Sequence, residues 1–161
     1  MMARRPVALL IFGEGGHSEA MRRVWQKLDF GVQDTIQLHE RIASPIPGIR
    51  SIRVSRIMPK EENLLSLLPS AFFLLENALV TLWVFVRYDV KYVLTTGPMV
   101  ALAPAIACRI LGIPCTFIES WARFTSLSRT ARALNWFGAE IWYQNWEMAS
   151  KSTHGRYCGR L

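Results

Sequence analysis

Apolar and polar positions fall into blocks along this chain, and the blocks switch between strand-like and helix-like periods. Val7–Phe12 is an unbroken apolar run, as expected of a strand buried on both faces. Ser18–Leu28 spaces its apolar residues as a helix does. Thr35–Leu38 predicts a short second strand, and Ala43–Gly48, with Pro45 and Pro47, a loop. Arg50–Ile57 alternates charges or hydroxyls with apolar residues and predicts an edge-like third strand. Glu62–Arg87 predicts a long helix, kinked near Pro69.

The second half is clearer. Tyr92–Thr95 predicts a strand closed by Gly97-Pro98. Val100–Leu111 predicts an apolar helix that tolerates Pro104 in its first turn and stops at Gly112. Cys115–Ile118 predicts another buried strand, ending at Glu119-Ser120, followed by a helix at Thr130–Phe137 and a strand at Glu140–Tyr143. Strand and helix alternate with no repeat, low-complexity segment or linker. The expected fold is therefore α/β, a Rossmann-like doubly wound parallel sheet, with residues 1–161 as one domain. In that order the first strand is expected beside the strands ending at Thr95 and Ile118.

Composition narrows the partners. Hydrophobic residues make up 51% and charged ones 19%, which argues against disorder. A net charge of +7 points to phosphate, anionic lipid or nucleic acid. The arginines are scattered and no nucleic-acid motif is present, which argues against the last. Cys108, Cys115 and Cys158 show no metal-ligand spacing and are odd in number; Cys108 and Cys115, in apolar segments, read as reduced core residues, which favours a cytosolic setting. The apolar run after the basic Met1–Arg5 stops at Gly13, too short for a membrane span. Ala71–Val86 is interrupted by Glu76 and Asn77; it reads as a buried helix, as a helix lying on a membrane face, with Leu64–Leu68 extending its apolar surface, or as a span.

Candidate chemistry gathers at the ends of the predicted strands. Gly13, Gly15 and Gly16 follow the first strand, where glycine permits positive φ and close backbone approach, and the next helix offers unpaired N–H groups to an anion. The spacing is not the dinucleotide fingerprint, because Ser18 stands where a glycine is needed. His17 falls at the mouth of the sheet, where an imidazole serves as a base, binds a phosphate oxygen, or merely caps the helix or packs against the loop. Topology delivers Thr96-Gly97-Pro98 and Glu119-Ser120 to the same crevice. Glu119 either orients His17, contacts a sugar hydroxyl or pairs with Arg123. Arg123, Arg129 and Arg132 suit a diphosphate or form a solvated basic face. Glu14 opposes the charge logic of an anion-binding loop unless its side chain turns to solvent or meets a sugar. Trp136, Trp142 and Trp146 suit a core, a membrane face or a protein interface.

GEGGHSEAM, TTGP, FIESWARFTSLS and AEIWYQNWEM occur here in the order found in one family. Over nearly its whole length the chain resembles the membrane-side subunit of the two-component UDP-N-acetylglucosamine transferase of lipid-linked oligosaccharide synthesis. It is also similar to that subunit's bacterial counterparts in capsule and exopolysaccharide assembly. The resemblance implies the N-terminal half of a GT-B glycosyltransferase, peripheral on the cytoplasmic face of the cell membrane. It further implies a separate donor-binding partner, a polyprenyl-diphosphate-linked acceptor, a UDP-sugar donor and no resident cofactor or metal. Residue by residue, Gly13, Gly15, Gly16, Gly97 and Pro98 match the two turns, His17 the family histidine, and Glu119, Ser120 and Arg123 the motif after them. The implied roles are catalytic for His17 and Glu119, and phosphate- or substrate-binding for the others together with Ser18 and Thr96. The chain departs from the family pattern at Glu14, at Met99 and in YQNWEM. Its first strand starts near residue 6, where eukaryotic members carry a transmembrane helix, which implies the bacterial type.

Overall fold

The structure, a computed structural model, describes residues 5–27, 34–56, 67–146 and 155–159. Strands β1 (Pro6–Phe12), β2 (Asp34–Glu40), β3 (Arg50–Val54), β4 (Asp89–Thr95), β5 (Cys115–Ile118), β6 (Glu140–Tyr143) and β7 (Arg156–Tyr157) form one sheet. Its order is β3-β2-β1-β4-β5-β6-β7 and every pairing is parallel. This is the Rossmann-like doubly wound arrangement, with its switch point between β1 and β4. One expectation is corrected: β5 pairs with β4, one strand removed from β1.

Helices α1 (Gly16–Trp25), α2 (Leu67–Arg87), α3 (Leu102–Leu111) and α4 (Arg129–Trp136) cover the sheet, and a 3₁₀ turn at Met99–Ala101 leads into α3. The core divides along the pleat of β1. Val7, Leu9 and Ile11 pack with Val84, Val93 and Phe117 on one face, while Leu10 and Phe12 pack with Met21, Val24 and Leu94 on the other. That two-sided burial explains why β1 reads as a continuous apolar run. Gly112 ends α3 in the left-handed region at φ 68°, as expected of a C-cap glycine. Ser128 caps α4, its Oγ accepting the Ala131 N–H at 3.1 Å.

Several boundaries move. Helix α1 starts two residues before Ser18, and β2 and β4 run longer than their apolar cores. The expected stretches Leu28, Ile57, Glu62–Ser66 and Glu147–Met148 lie outside the described residues. Strand β7, only two residues long, carries too little pattern to be legible. The parallel step from β2 to β3 has no helix. Instead the buried Gln37 holds the loop: its Oε1 accepts the Ile46 N–H at 2.8 Å, and its Nε2 donates to the Ile46 and Ile49 carbonyls at 2.9 and 3.0 Å.

Helix α2 turns its polar side inward. Asn77 and Thr81 are buried, whereas Phe72, Leu75, Leu79, Leu82 and Val86 form an outward stripe, each 57–67% exposed. By length and composition Ser70–Arg87 is also long enough to cross a bilayer.

Candidate functional site

The residues singled out after β1, β4 and β5 converge at the carboxyl edge of the sheet. His17 stands in the first turn of α1, beside the end of β4. Its Nδ1–H donates to the Thr96 carbonyl at 2.6 Å, and the Thr96 hydroxyl donates to the His17 carbonyl at 2.8 Å. In a neutral ring that bond places the proton on Nδ1 and leaves the lone pair on Nε2. That nitrogen is the group able to accept a proton.

Glycine is needed here for two different reasons. Gly97 sits at φ 97°, and a Cβ there would stand 3.0 Å from His17 Cε1. Its N–H donates to Thr95 Oγ1 at 3.1 Å. At Gly13 a Cβ would collide with Pro98 Cδ at 2.6 Å and Glu40 Oε2 at 2.8 Å, so Gly13 admits protein atoms. Gly15 supplies positive φ, 63°, just before α1, and its carbonyl accepts the Ser18 hydroxyl at 2.8 Å. Gly16 opens the helix with space around it. Ser18 is buried and closes the turn.

Two clefts meet at His17 and Ser120. The larger, about 800 Å³, runs from Glu40 and Arg56 past Gly97, Pro98 and Glu119 to Arg123 and the first turn of α4. The smaller, about 290 Å³, lies on the α1 side and includes Arg23, Trp121 and Gln144. Both lie at the switch point, where open parallel sheets bind ligands.

Glu119 makes no hydrogen bond to His17 among the described residues. Its buried carboxylate accepts the Ser120 N–H at 2.9 Å and the Ser128 N–H at 2.8 Å, bracing both ends of the loop that carries Arg123. Its carbonyl accepts Gln144 Nε2 at 3.0 Å. It has no ion pair with Arg123 among the described residues; both line the larger cleft with His17. Glu14 resolves differently from either expectation, pairing with Arg56 at 2.6 Å. Its backbone N–H donates to Glu40 Oε2 at 3.3 Å.

Glu40 and Arg56 are site residues that sequence reasoning passed over. Glu40 ends a buried strand as Glu119 does and is 2% exposed. The same argument applied to the full length of β2 would have found it. Arg56 follows β3 and reaches Glu40 Oε1 at 3.9 Å. Cys108 and Cys115 are buried and free, and the Cys115 hydrogen bond, together with burial, pushes the Cys108 thiol up, as suits a reduced core thiol. Among the described residues no group of His, Cys, Asp and Glu is gathered as a metal site.

With this geometry in place, comparison with known proteins bears on the fold. The chain is similar to the crystal structure of Acinetobacter baumannii MurG, with a TM-score of 0.63 and 16% identity. The match covers 98% of this chain and 44% of that one, so the chain spans less than half the MurG length. At that identity the likeness is one of fold. No protein-family model and no curated protein matches the chain.

Proposed function

We propose that this chain is the acceptor half of a split GT-B glycosyltransferase. It works with a separate donor-binding subunit on the cytoplasmic face of the cell membrane. The reaction is transfer of a sugar from a UDP-sugar to a polyprenyl-diphosphate-linked saccharide. The observation that carries this reading is the His17–Thr96 pairing at the switch point, which leaves Nε2 free to take a proton inside a cleft. The fold likeness to a part of MurG, 44% of that chain, is consistent with the fold this reading requires.

In the mechanism, an acceptor hydroxyl attacks the anomeric carbon of the donor sugar from the face opposite UDP. A C–O bond forms, the bond to the UDP oxygen breaks with its electron pair, and the hydroxyl proton passes to His17 Nε2. Configuration inverts. Glu119 contributes by holding the loop of residues 120–128 against the cleft. Ser120 and Arg123 face the substrate, and the reading includes no resident cofactor or metal.

A second reading, a membrane adaptor that only anchors and activates its partner, is favoured by the outward apolar stripe of α2. One assay separates the two. Transfer from a UDP-sugar panel is measured with this chain alone, with a co-expressed donor-domain partner, and with His17→Ala in the complex. General-base catalysis is worth roughly 10²–10⁴ in rate. A loss below about tenfold in an intact complex would remove the base role.

A further inference from the structure

We infer that a diphosphate binds the larger cleft on the wall built by Arg123, Arg129 and Arg132, and not at the glycine turn. The inference rests on the proposed transferase reading and assigns a place to its phosphate chemistry.

The cleft side of the glycine turn is already acidic. Glu40 Oε2 accepts the Glu14 N–H at 3.3 Å and lies 2.8 Å from where a Gly13 Cβ would stand. A carboxylate thus occupies the place an anion would take. The Glu14 carboxylate stands beside it, and Arg56, the nearby cation, is engaged by both acids at 2.6 and 3.9 Å. A diphosphate brought there would meet two negative charges and an arginine whose charge is shared.

The opposite wall has the reverse character. Arg129 and Arg132 lie one turn apart on α4, with Ala133, so they project toward the cleft together. Arg123 joins them from the loop that Glu119 braces. Arg123 and Arg132 have no carboxylate partner among the described residues. The cleft is lined by four arginines (Arg56, Arg123, Arg129, Arg132) and two glutamates (Glu40, Glu119), a formal excess of 4 − 2 = +2. Both glutamates already accept backbone N–H groups. The positive end of α4 lies on the same wall. Guanidinium forks match the paired oxygens of a diphosphate. His17 borders the same cleft, so a group attached to that diphosphate is delivered toward Nε2.

The diphosphate has two possible sources, an acceptor lipid and a nucleotide donor, and the test separates them. Full-length chain is titrated by calorimetry with geranyl diphosphate and, separately, with UDP, at fixed ionic strength. The wild type is compared with Arg123→Gln, Arg132→Gln and Glu14→Gln, folding being checked by circular dichroism. Charge-assisted contacts at a solvent-facing wall predict about tenfold weaker binding for each arginine variant. Glu14→Gln is expected to bind at least as tightly as wild type. Tighter binding of geranyl diphosphate assigns the wall to the acceptor; tighter binding of UDP assigns it to the donor. Unchanged affinity in both folded arginine variants, or no binding of either ligand at millimolar concentration, overturns the subsite. The partnered transfer assay is run on the same variants. Arginine-independent binding with transfer intact removes the subsite and leaves the transferase reading. Arginine-dependent binding without transfer in any pairing removes the transferase reading and leaves the subsite.

Discussion

Thr96 holds His17 from both ends. Its carbonyl accepts the imidazole Nδ1–H at 2.6 Å, and its hydroxyl donates to the His17 carbonyl at 2.8 Å. The ring is thereby oriented by the end of β4 and the start of α1 together, with Gly97 leaving the room that this approach requires.

Gly97→Ala tests that room. The new Cβ would stand 3.0 Å from His17 Cε1 on a backbone at φ 97°. Such conformations cost a non-glycine residue about 1–3 kcal/mol. The variant is expected to unfold at lower urea and to lose transfer activity beyond what reduced folding explains. Wild-type activity in the folded variant would show that the imidazole position is not critical.

Glu119 is expected to behave first as a brace. Glu119→Ala leaves the Ser120 and Ser128 N–H groups without their acceptor, at a cost of about 1–3 kcal/mol. Glu119→Gln keeps one acceptor oxygen and should fall between. Urea denaturation gives the order, and transfer activity should follow it. Full stability with abolished transfer in both variants would instead place the carboxylate on the substrate.

Acid should loosen the attachment of α2 to the end of β3. Glu76 accepts the Ser55 N–H at 3.3 Å and Arg41 Nη2 at 2.8 Å. Burial pushes this carboxyl up, but the hydrogen bonds from Ser55 and Arg41 outweigh it and leave it below its ordinary value. A lowered folded-state value contributes stability above the unfolded value, about 4.3, and that stability is lost as pH falls through the folded one. Urea midpoints measured from pH 6 to pH 3 should fall more for wild type than for Glu76→Gln. Parallel curves would rule out this linkage.

The outward stripe of α2 should govern membrane attachment. Burying a leucine side chain is worth about 1.5–3 kcal/mol. Leu75→Lys and Leu79→Lys, both at exposed positions, should each lower partition onto anionic vesicles by about tenfold or more without changing the circular dichroism spectrum. Unchanged co-sedimentation would assign the stripe to another partner.

Much of the architecture was legible in the linear pattern because it is local. The continuous run of β1 declares a two-sided strand, and Gly112 after an apolar helix declares a stop. The glycine turn with His17 could be placed at the carboxyl end of β1 from chain order alone. Helix α2 was ambiguous for a physical reason: a helical period is the same whether the apolar stripe faces in or out. The burial of Asn77 and Thr81 shows that the stripe faces away from the sheet.

Chain order and residue periodicity by themselves determined the alternation of elements, the parallel sheet and the meeting of three strand ends at one edge. Only the tertiary structure decided who bonds to whom there. His17 finds Thr96 across 79 residues, Glu14 finds Arg56 across 42, and Glu119 turns to backbone N–H groups in its own loop. Those choices depend on strand register and loop path to within about an ångström, the tolerance of a hydrogen bond. A pattern of apolar and polar letters sets which face a residue occupies, and carries no distance between residues that far apart in the chain.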